Sequence, residues 1–171
     1  MPKQHTDAVI VFTEETKQGI LDAGCSGDWV LDPKNAGRHE YLVCCRRPSW
    51  KNRAEGIGHR AAFLVGRIAG LTKIEGSQDE NKRNQARYRI RISEYAEIEL
   101  ANKWQKEHRN PVLYNTLKQL GIEARKLEFK PIPLPLPAAG LGGKMTIAEA
   151  KKALAVTFGV KPEDVEITIR G

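Results

Sequence analysis

Apolar runs rich in β-branched residues recur along the first hundred residues, and each predicts a strand. Residues 7–13 and 39–47 are two such runs, and residues 26–33 predict a short strand between two turns. Residues 60–74 predict a long strand, in which two internal glycines indicate a bulge or a sharp bend. The first half of the chain is therefore expected to build a sheet.

Residues 86–100 alternate most regularly. Three apolar side chains fall on one face of the predicted strand and three arginines on the other, which is typical of an antiparallel strand with one side in water. The apolar residues are Tyr88, Ile90 and Ile92, and the arginines are Arg87, Arg89 and Arg91.

Three segments have the pattern of helices. Residues 14–23 predict a short helix that ends at Gly24, and residues 110–119 predict an amphipathic helix that begins at an Asn-Pro pair. Near the C-terminus, Thr146 and Glu149 have the spacing of a capping box at the start of a third helix.

These elements predict an α+β protein in three parts. Residues 1–130 form the main domain, and residues 131–143 form a linker that begins with alternating prolines and ends in glycines. Residues 144–171 form a tail of one helix and one strand, the strand over residues 164–171. Because the tail is too short to fold alone, we expect it to dock on the main domain, on a second copy of the chain or on a protein partner.

The composition is that of an ordinary globular protein. Of its 171 residues, 40% are hydrophobic and 29% are charged. No apolar run approaches the roughly 18 residues that a membrane span needs, and the N-terminus lacks a secretory cleavage pattern. Three cysteines, with Cys44 and Cys45 adjacent in a strand and facing opposite ways, suit reduced structural thiols. We expect a cytoplasmic protein without a membrane partner.

Positive charge is concentrated in one stretch of the chain. Thirteen Lys and Arg but only five Asp and Glu lie between Arg38 and Arg91, although the whole chain has a formal charge of +7. A folded region with this excess attracts polyanions, above all DNA or RNA. A basic but merely solvated surface is the alternative.

Within this stretch, residues 46–60 combine basic side chains with Trp50. Bases stack on exposed aromatic rings and guanidinium groups hold phosphates, so the combination favours nucleic-acid contact, with core packing as the alternative for Trp50. Trp29 is a second candidate wall, although core packing is favoured for it and for Trp104. The candidate contact residues are Trp50, Trp29, Arg46, Arg47, Lys51, Arg53, His59, Arg60, Arg87, Arg89 and Arg91.

No motif predicts a metal, a cofactor or a catalytic residue. The four histidines are scattered, and the chain contains neither a phosphate-binding loop nor a nucleophile elbow. A minor hypothesis is a small nuclease or hydrolase that uses Cys44 or Cys45 with His59 as base. A carboxylate pair drawn from Glu94, Glu97 and Glu99 is a further alternative, which a solvated strand edge explains more simply.

The order of elements resembles the PUA-like superfamily, especially its EVE and YTH-type branches. The likeness covers residues 7–130 and rests on the GDW turn, the strands HEYLVCC, FLVGRIAGL and RYRIRI, and the segment from NPV to QLGI. It implies a small curved β-barrel flanked by helices that binds DNA or RNA and holds a modified or flipped base in an aromatic pocket. By this resemblance Trp29 and Trp50 become pocket residues, and Arg46, Arg47 and Lys51 become backbone contacts.

The sequence thus favours a non-enzymatic nucleic-acid-binding module. The main alternative is an interaction protein, of the phage or host-defence type, that binds a partner or a second copy through its basic face and the strand of residues 164–171. A GxKxxTxR-like signature of the ASCH relatives is missing, which argues against their hydrolytic activities.

Overall fold

The structure of this mixed α+β protein is a computed structural model, and the chain divides into two compact units, residues 1–133 and 134–171. Among the described residues, no helix is both long enough and apolar enough to cross a membrane. The described ranges are 6–74, 86–105, 109–133, 147–158 and 161–168.

The first unit opens with two parallel strands and the crossover between them. Strand β1 (Ala8–Thr13) is followed by helix α1 (Lys17–Ala23), strand β2 (Cys25–Val30), the single-turn helix α2 (Pro33–Ala36) and strand β3 (Tyr41–Arg46). Strand β3 pairs in parallel with β1, which requires a long connection between the two. The predicted strands of residues 7–13 and 39–47, and the helix before Gly24, are confirmed.

Two long strands complete most of the sheet. Strand β4 (Ala62–Ile74) pairs antiparallel with β3 and with strand β5 (Arg87–Leu100). The register of β4 against β5 shifts on both sides of Ile68, and Gly70 has a φ of +155°. Such irregularities bend a strand and increase its twist, which confirms the predicted bend.

The sheet is curled into a half-barrel. Strands β6 (Val112–Asn115) and β7 (Lys130–Pro131) complete it, with β6 antiparallel to β1 and β7 paired with β5. The main order is β2-β5-β4-β3-β1-β6, so that β2 and β6 lie at opposite ends of this path.

Apolar side chains pack on both faces of the central strands. In β1, Val9 and Val11 join one cluster with α1 and β5, whereas Ala8 and Ile10 join a second cluster with Trp104. The neighbouring cysteines follow the same alternation, because Cys44 belongs to the first cluster and Cys45 to the second. Both thiols are buried and free, as the sequence predicted.

The helix predicted over residues 110–119 is wrong. Residues 112–115 are strand β6, and one turn follows, closed by Gly121 at a φ of +72°. Strand β6 supplies backbone partners to the edge of β1 that β3 does not occupy, and an unpaired β1 edge would leave backbone groups unbonded. Pairing with β1 thus outweighs the helical spacing of the apolar residues.

The second unit contains helix α3 (Ile147–Phe158) and a short 3-10 helix, Pro162–Asp164. The expected strand of residues 164–171 is not present over residues 165–168, which have no regular structure, and residues 169–171 lie outside the described part. Thr146, the expected N-cap, and residues 134–143 of the expected linker also lie outside it. In residues 127–133, only the two residues of β7 are strand.

We expect Gly66→Ala to destabilise the protein by about 1–3 kcal/mol, because the added methyl group overpacks the core. A Cβ at Gly66 would lie 2.6 Å from Cγ2 and 3.0 Å from Cδ1 of Ile92, whose side chain is buried. Urea unfolding measures the change, with Gly58→Ala as the control because a Cβ there meets nothing within 4 Å. Equal stability of the two variants would contradict this packing.

Candidate nucleic-acid interface

The candidate site lies at the carboxyl ends of β1 and β3. Because these strands are parallel neighbours, residues 13–16 and 46–50 leave the sheet at the same edge. The amide of Arg47 donates to the carbonyl of Thr13 at 2.8 Å, which continues the pairing beyond the last residue of β3. The segment from Arg47 to Arg60, called here the Trp50 loop, starts from this point.

A buried asparagine holds the Trp50 loop in shape. Asn52 donates from Nδ2 to the carbonyls of Glu14 and Arg47 at 3.0 and 2.9 Å, and its Oδ1 accepts from the amide of Ser49 at 3.0 Å. One carboxamide therefore ties both ends of the turn to the end of β1. These bonds fix the backbone on either side of Trp50, which lies between Ser49 and Asn52 in the sequence.

A buried ion pair fixes the second half of the loop. Arg46 is only 1% exposed and pairs through Nη2 with Glu55, whose other oxygen accepts from the amide of Lys17 at 2.8 Å. The Arg46 guanidinium also lies over the ring of Phe63, 4.1 Å from its centroid. Burial lowers the pKa of Arg46, and the charge of the Glu55 carboxylate opposes that shift.

These contacts correct one predicted role. Arg46 was expected to contact a nucleic-acid backbone, but its side chain lies inside the protein and is engaged by Glu55 and by the carbonyl of Glu15. A phosphate outside the protein has no access to it. We therefore assign Arg46 to the fold and remove it from the candidate contact residues.

Trp50 is the most exposed large apolar side chain among the described residues, at 81%. The ammonium of Lys51 lies 5.7 Å from the centroid of its ring. Large aromatic side chains are usually buried, and an exposed one on an ordered loop is unusual unless another molecule covers it. Trp50 thus offers a ready-made stacking surface with a cation beside it.

A pocket of about 400 Å³ opens beside Trp50, within the size range of small-molecule sites. The hydroxyl oxygen of Ser49 is buried at its wall and has no hydrogen-bond partner among the described residues. Arg53 provides its one charged side chain. The lining residues are Pro48, Ser49, Trp50, Asn52, Arg53, Gly56 and Ile57.

A second pocket of about 340 Å³ adjoins Lys51, lined also by Glu14, Glu15, Thr16 and Gly19. The carboxylate of Glu15 is engaged there by Thr13 and Ser26 and by the amide of Gly27. Glu14 pairs with Arg47 at 3.2 Å. This acidic pocket is less suited to a phosphate than the one beside Trp50.

Trp29 packs in the core, which corrects its prediction as a pocket wall. Its side chain is buried in the first apolar cluster, and its Nε1 donates to the hydroxyl of Ser26 at 3.1 Å. The favoured interpretation, core packing, is confirmed for Trp29. It is also confirmed for Trp104, which stacks on Phe12 with ring centroids 4.9 Å apart.

The remaining candidate residues of the Trp50 loop differ in their surroundings. Lys51 and Arg53 are exposed, and neither forms an ion pair with a described residue. His59 is exposed and stacks on Phe12 at 5.8 Å. Arg60 is half-buried, and its carbonyl accepts from the amides of Lys103 and Trp104. Of the predicted contact residues among the described ones, only Trp50 and Arg53 line the larger pocket, while Lys51 lines its neighbour.

The three arginines of β5 project from the face opposite its buried isoleucines, as predicted. Arg89 lies 3.5 Å from the carboxylate of Asp28, and Arg87 donates to the carbonyl of the same residue. The three arginines pair with the carboxyl end of β4, from Gly70 to Ile74. The Trp50 loop instead precedes the first residue of β4. The two groups therefore lie at opposite ends of β4.

The thiols and carboxylates of the alternative enzymatic hypotheses have surroundings that do not favour catalysis. Burial raises the pKa of Cys45 to about 12 and that of Cys44 well above its ordinary value, so both thiols are protonated near neutral pH. The hydrogen bond from Lys17 lowers the pKa of Glu97, and Glu94 pairs with Arg67 at 3.0 Å. The described residues contain no cluster of His, Cys, Asp or Glu that could hold a metal ion.

Sequence reasoning missed the residues that shape the loop. Asn52, Glu55 and Ser49 do not stand out in the sequence. A buried Asn in a polar loop leaves no periodic signal, because its side chain bonds single backbone atoms, two of them nearby in the sequence and one, in Glu14, distant. Comparison of the chain with models of protein families, with curated proteins and with solved structures finds no match.

Proposed function

We propose that this protein is a non-enzymatic module that binds single-stranded DNA or RNA, with Trp50 as the platform on which a base stacks. The supporting observation is an indole that is 81% exposed on a loop held rigid by buried polar contacts. Stacking on an ordered ring costs little conformational entropy, and each base contributes about 1–3 kcal/mol.

Cations around the platform support a nucleic-acid ligand over a neutral one. Lys51 lies beside the ring and Arg53 in the adjoining pocket, while Arg47 is exposed and only weakly held by Glu14. Each of the three can take a phosphate oxygen without first breaking a buried contact. The basic stretch of the sequence thus contributes a small group of cations at the loop.

We expect binding of a mixed-sequence oligonucleotide to weaken as salt rises, with a log–log slope of about −2 for three phosphate contacts on a single strand. Lys51→Ala is expected to reduce the slope by about 0.7, because one fewer counterion is released. Fluorescence anisotropy across a salt series measures this. Lys118→Ala is the matched control, since Lys118 is exposed near the amino end of β1. A flat salt response would refute phosphate binding.

We also propose the PUA-like superfamily as the ancestry of the first unit, with an EVE- or YTH-type pocket for a modified or flipped base. The curled half-barrel supports this, and so does an aromatic side chain beside a pocket at its rim. Only one wall of such a pocket, Trp50, is exposed, because Trp29 is buried. A solved structure with a bound base would test the assignment.

A second candidate is an interaction protein that binds a partner or a second copy through residues 144–171. It is favoured by Ile147 and Leu154, which lie seven residues apart on α3 and are both exposed. Sedimentation of the protein and of an Ile147→Asp, Leu154→Asp variant tests self-association. Loss of a dimer with unchanged oligonucleotide affinity would support this candidate over the first.

A further inference from the structure

The pocket beside Trp50 presents hydrogen-bond donors and no carboxylate among its described lining residues. The amide group of Asn52 is consumed by its three backbone partners, so it has little to offer a ligand. Arg53 has five N–H donors and forms no ion pair with a described residue. The side chains that line this pocket therefore offer a ligand mainly the donors of Arg53.

Ser49 adds a second polar group. Ser49 lines the pocket, and its hydroxyl oxygen is enclosed without a hydrogen-bond partner among the described residues, an arrangement that costs stability in the free protein. A rotation about χ1 moves a serine hydroxyl between three staggered positions. A rotamer that turns this hydroxyl toward the pocket would let a ligand acceptor satisfy it, which favours ligands with acceptors on their edge.

We propose that the base stacked on Trp50 is guanine, with its O6 and N7 facing Arg53. These two acceptors match the fork of an arginine, whereas adenine and cytosine present an amino donor toward the same cation. This inference rests on the proposed stacking function and adds its specificity. Free guanine nucleotides share the chemistry with guanine in a strand, so the two sources must be separated by experiment.

The test uses the full-length protein and short thymidine oligonucleotides with one central G, A, C or 7-deazaguanine. We expect the G strand to bind roughly 5- to 150-fold more tightly than the A or C strand. The 7-deazaguanine strand, which lacks the N7 acceptor but keeps the shape, should lose much of this preference. Competition by GMP that equals the G strand identifies a free nucleotide as the ligand, and weaker competition identifies a strand.

Arg53→Lys tests the residue, because lysine keeps the charge but cannot bond two acceptors in a fork. It should level the preference between G and A, while Arg125→Lys, an exposed arginine outside the pocket, should not. Equal affinity of wild type for all four strands, with a Trp50 effect intact, overturns the guanine inference alone. Absence of binding to every strand and to GMP overturns the proposed function as well.

Discussion

Replacing Arg46 with alanine is expected to lower the free energy of unfolding by about 3–5 kcal/mol, because it breaks a buried ion pair. The variant loses the bond to Glu55, the bond to the Glu15 carbonyl and the contact with the Phe63 ring. It leaves Glu55 largely enclosed without its cation. Whole domains are stable by only about 5–15 kcal/mol, so this loss is a large fraction of the total. It is the largest effect on stability that we expect from one substitution.

The adjacent arginine provides the matched control. Arg47 is 57% exposed and forms a single ion pair with Glu14 at 3.2 Å, so Arg47→Ala should cost about 0–1 kcal/mol. Equilibrium unfolding in urea compares the two variants. The double variant Arg46→Met, Glu55→Gln should recover part of the loss, because no unpaired charge stays buried. If Arg46→Ala were as stable as Arg47→Ala, the ion pair would not hold the loop.

Replacing Trp50 with alanine is expected to weaken single-strand binding by roughly 5- to 150-fold, equivalent to the loss of one stacked base. The fold should be unaffected, because the side chain is exposed and contacts no apolar cluster. Anisotropy titrations measure the affinity, and urea unfolding of the same variant shows whether stability is unchanged.

Two further variants separate stacking from other contributions. Trp50→Phe retains a ring and should lose less affinity than Trp50→Ala, since stacking strength follows the size of the π-face. Lys51→Ala should weaken binding mainly at low salt, whereas the Trp50 effect should persist at high salt. Unchanged affinity in Trp50→Ala would remove the platform and with it the proposed function.

Sequence periodicity predicted most of the sheet well. Residues 86–100 alternate so regularly that the buried and exposed faces of β5 follow directly, and the two glycines of β4 indicated its bend. The same kind of reasoning failed for residues 110–119, where apolar spacing near that of a helix belongs to strand β6 and a turn. There the backbone needs of β1 decided the structure, and no local pattern reports them.

For the candidate site, composition indicated the place but not the division of roles. The basic stretch and Trp50 located the loop, yet Arg46 and Arg47, adjacent and identical in type, have opposite environments. Arg46 is the last residue of β3 and faces inward, whereas Arg47 already lies outside the sheet. Which arginine is buried depends on the pairing of β3 and on the position of Glu55, both of which are tertiary properties.

The sequence by itself determined the strands with clear alternation, the helix before Gly24 and the region where positive charge accumulates, because these depend on residues close together in the chain. Only the tertiary structure decided that Trp50 is exposed while Trp29 is buried, and that Asn52 and Glu55 hold the loop. Burial and hydrogen bonding depend on partners brought from elsewhere in the chain, such as Glu14, Lys17 and Phe63.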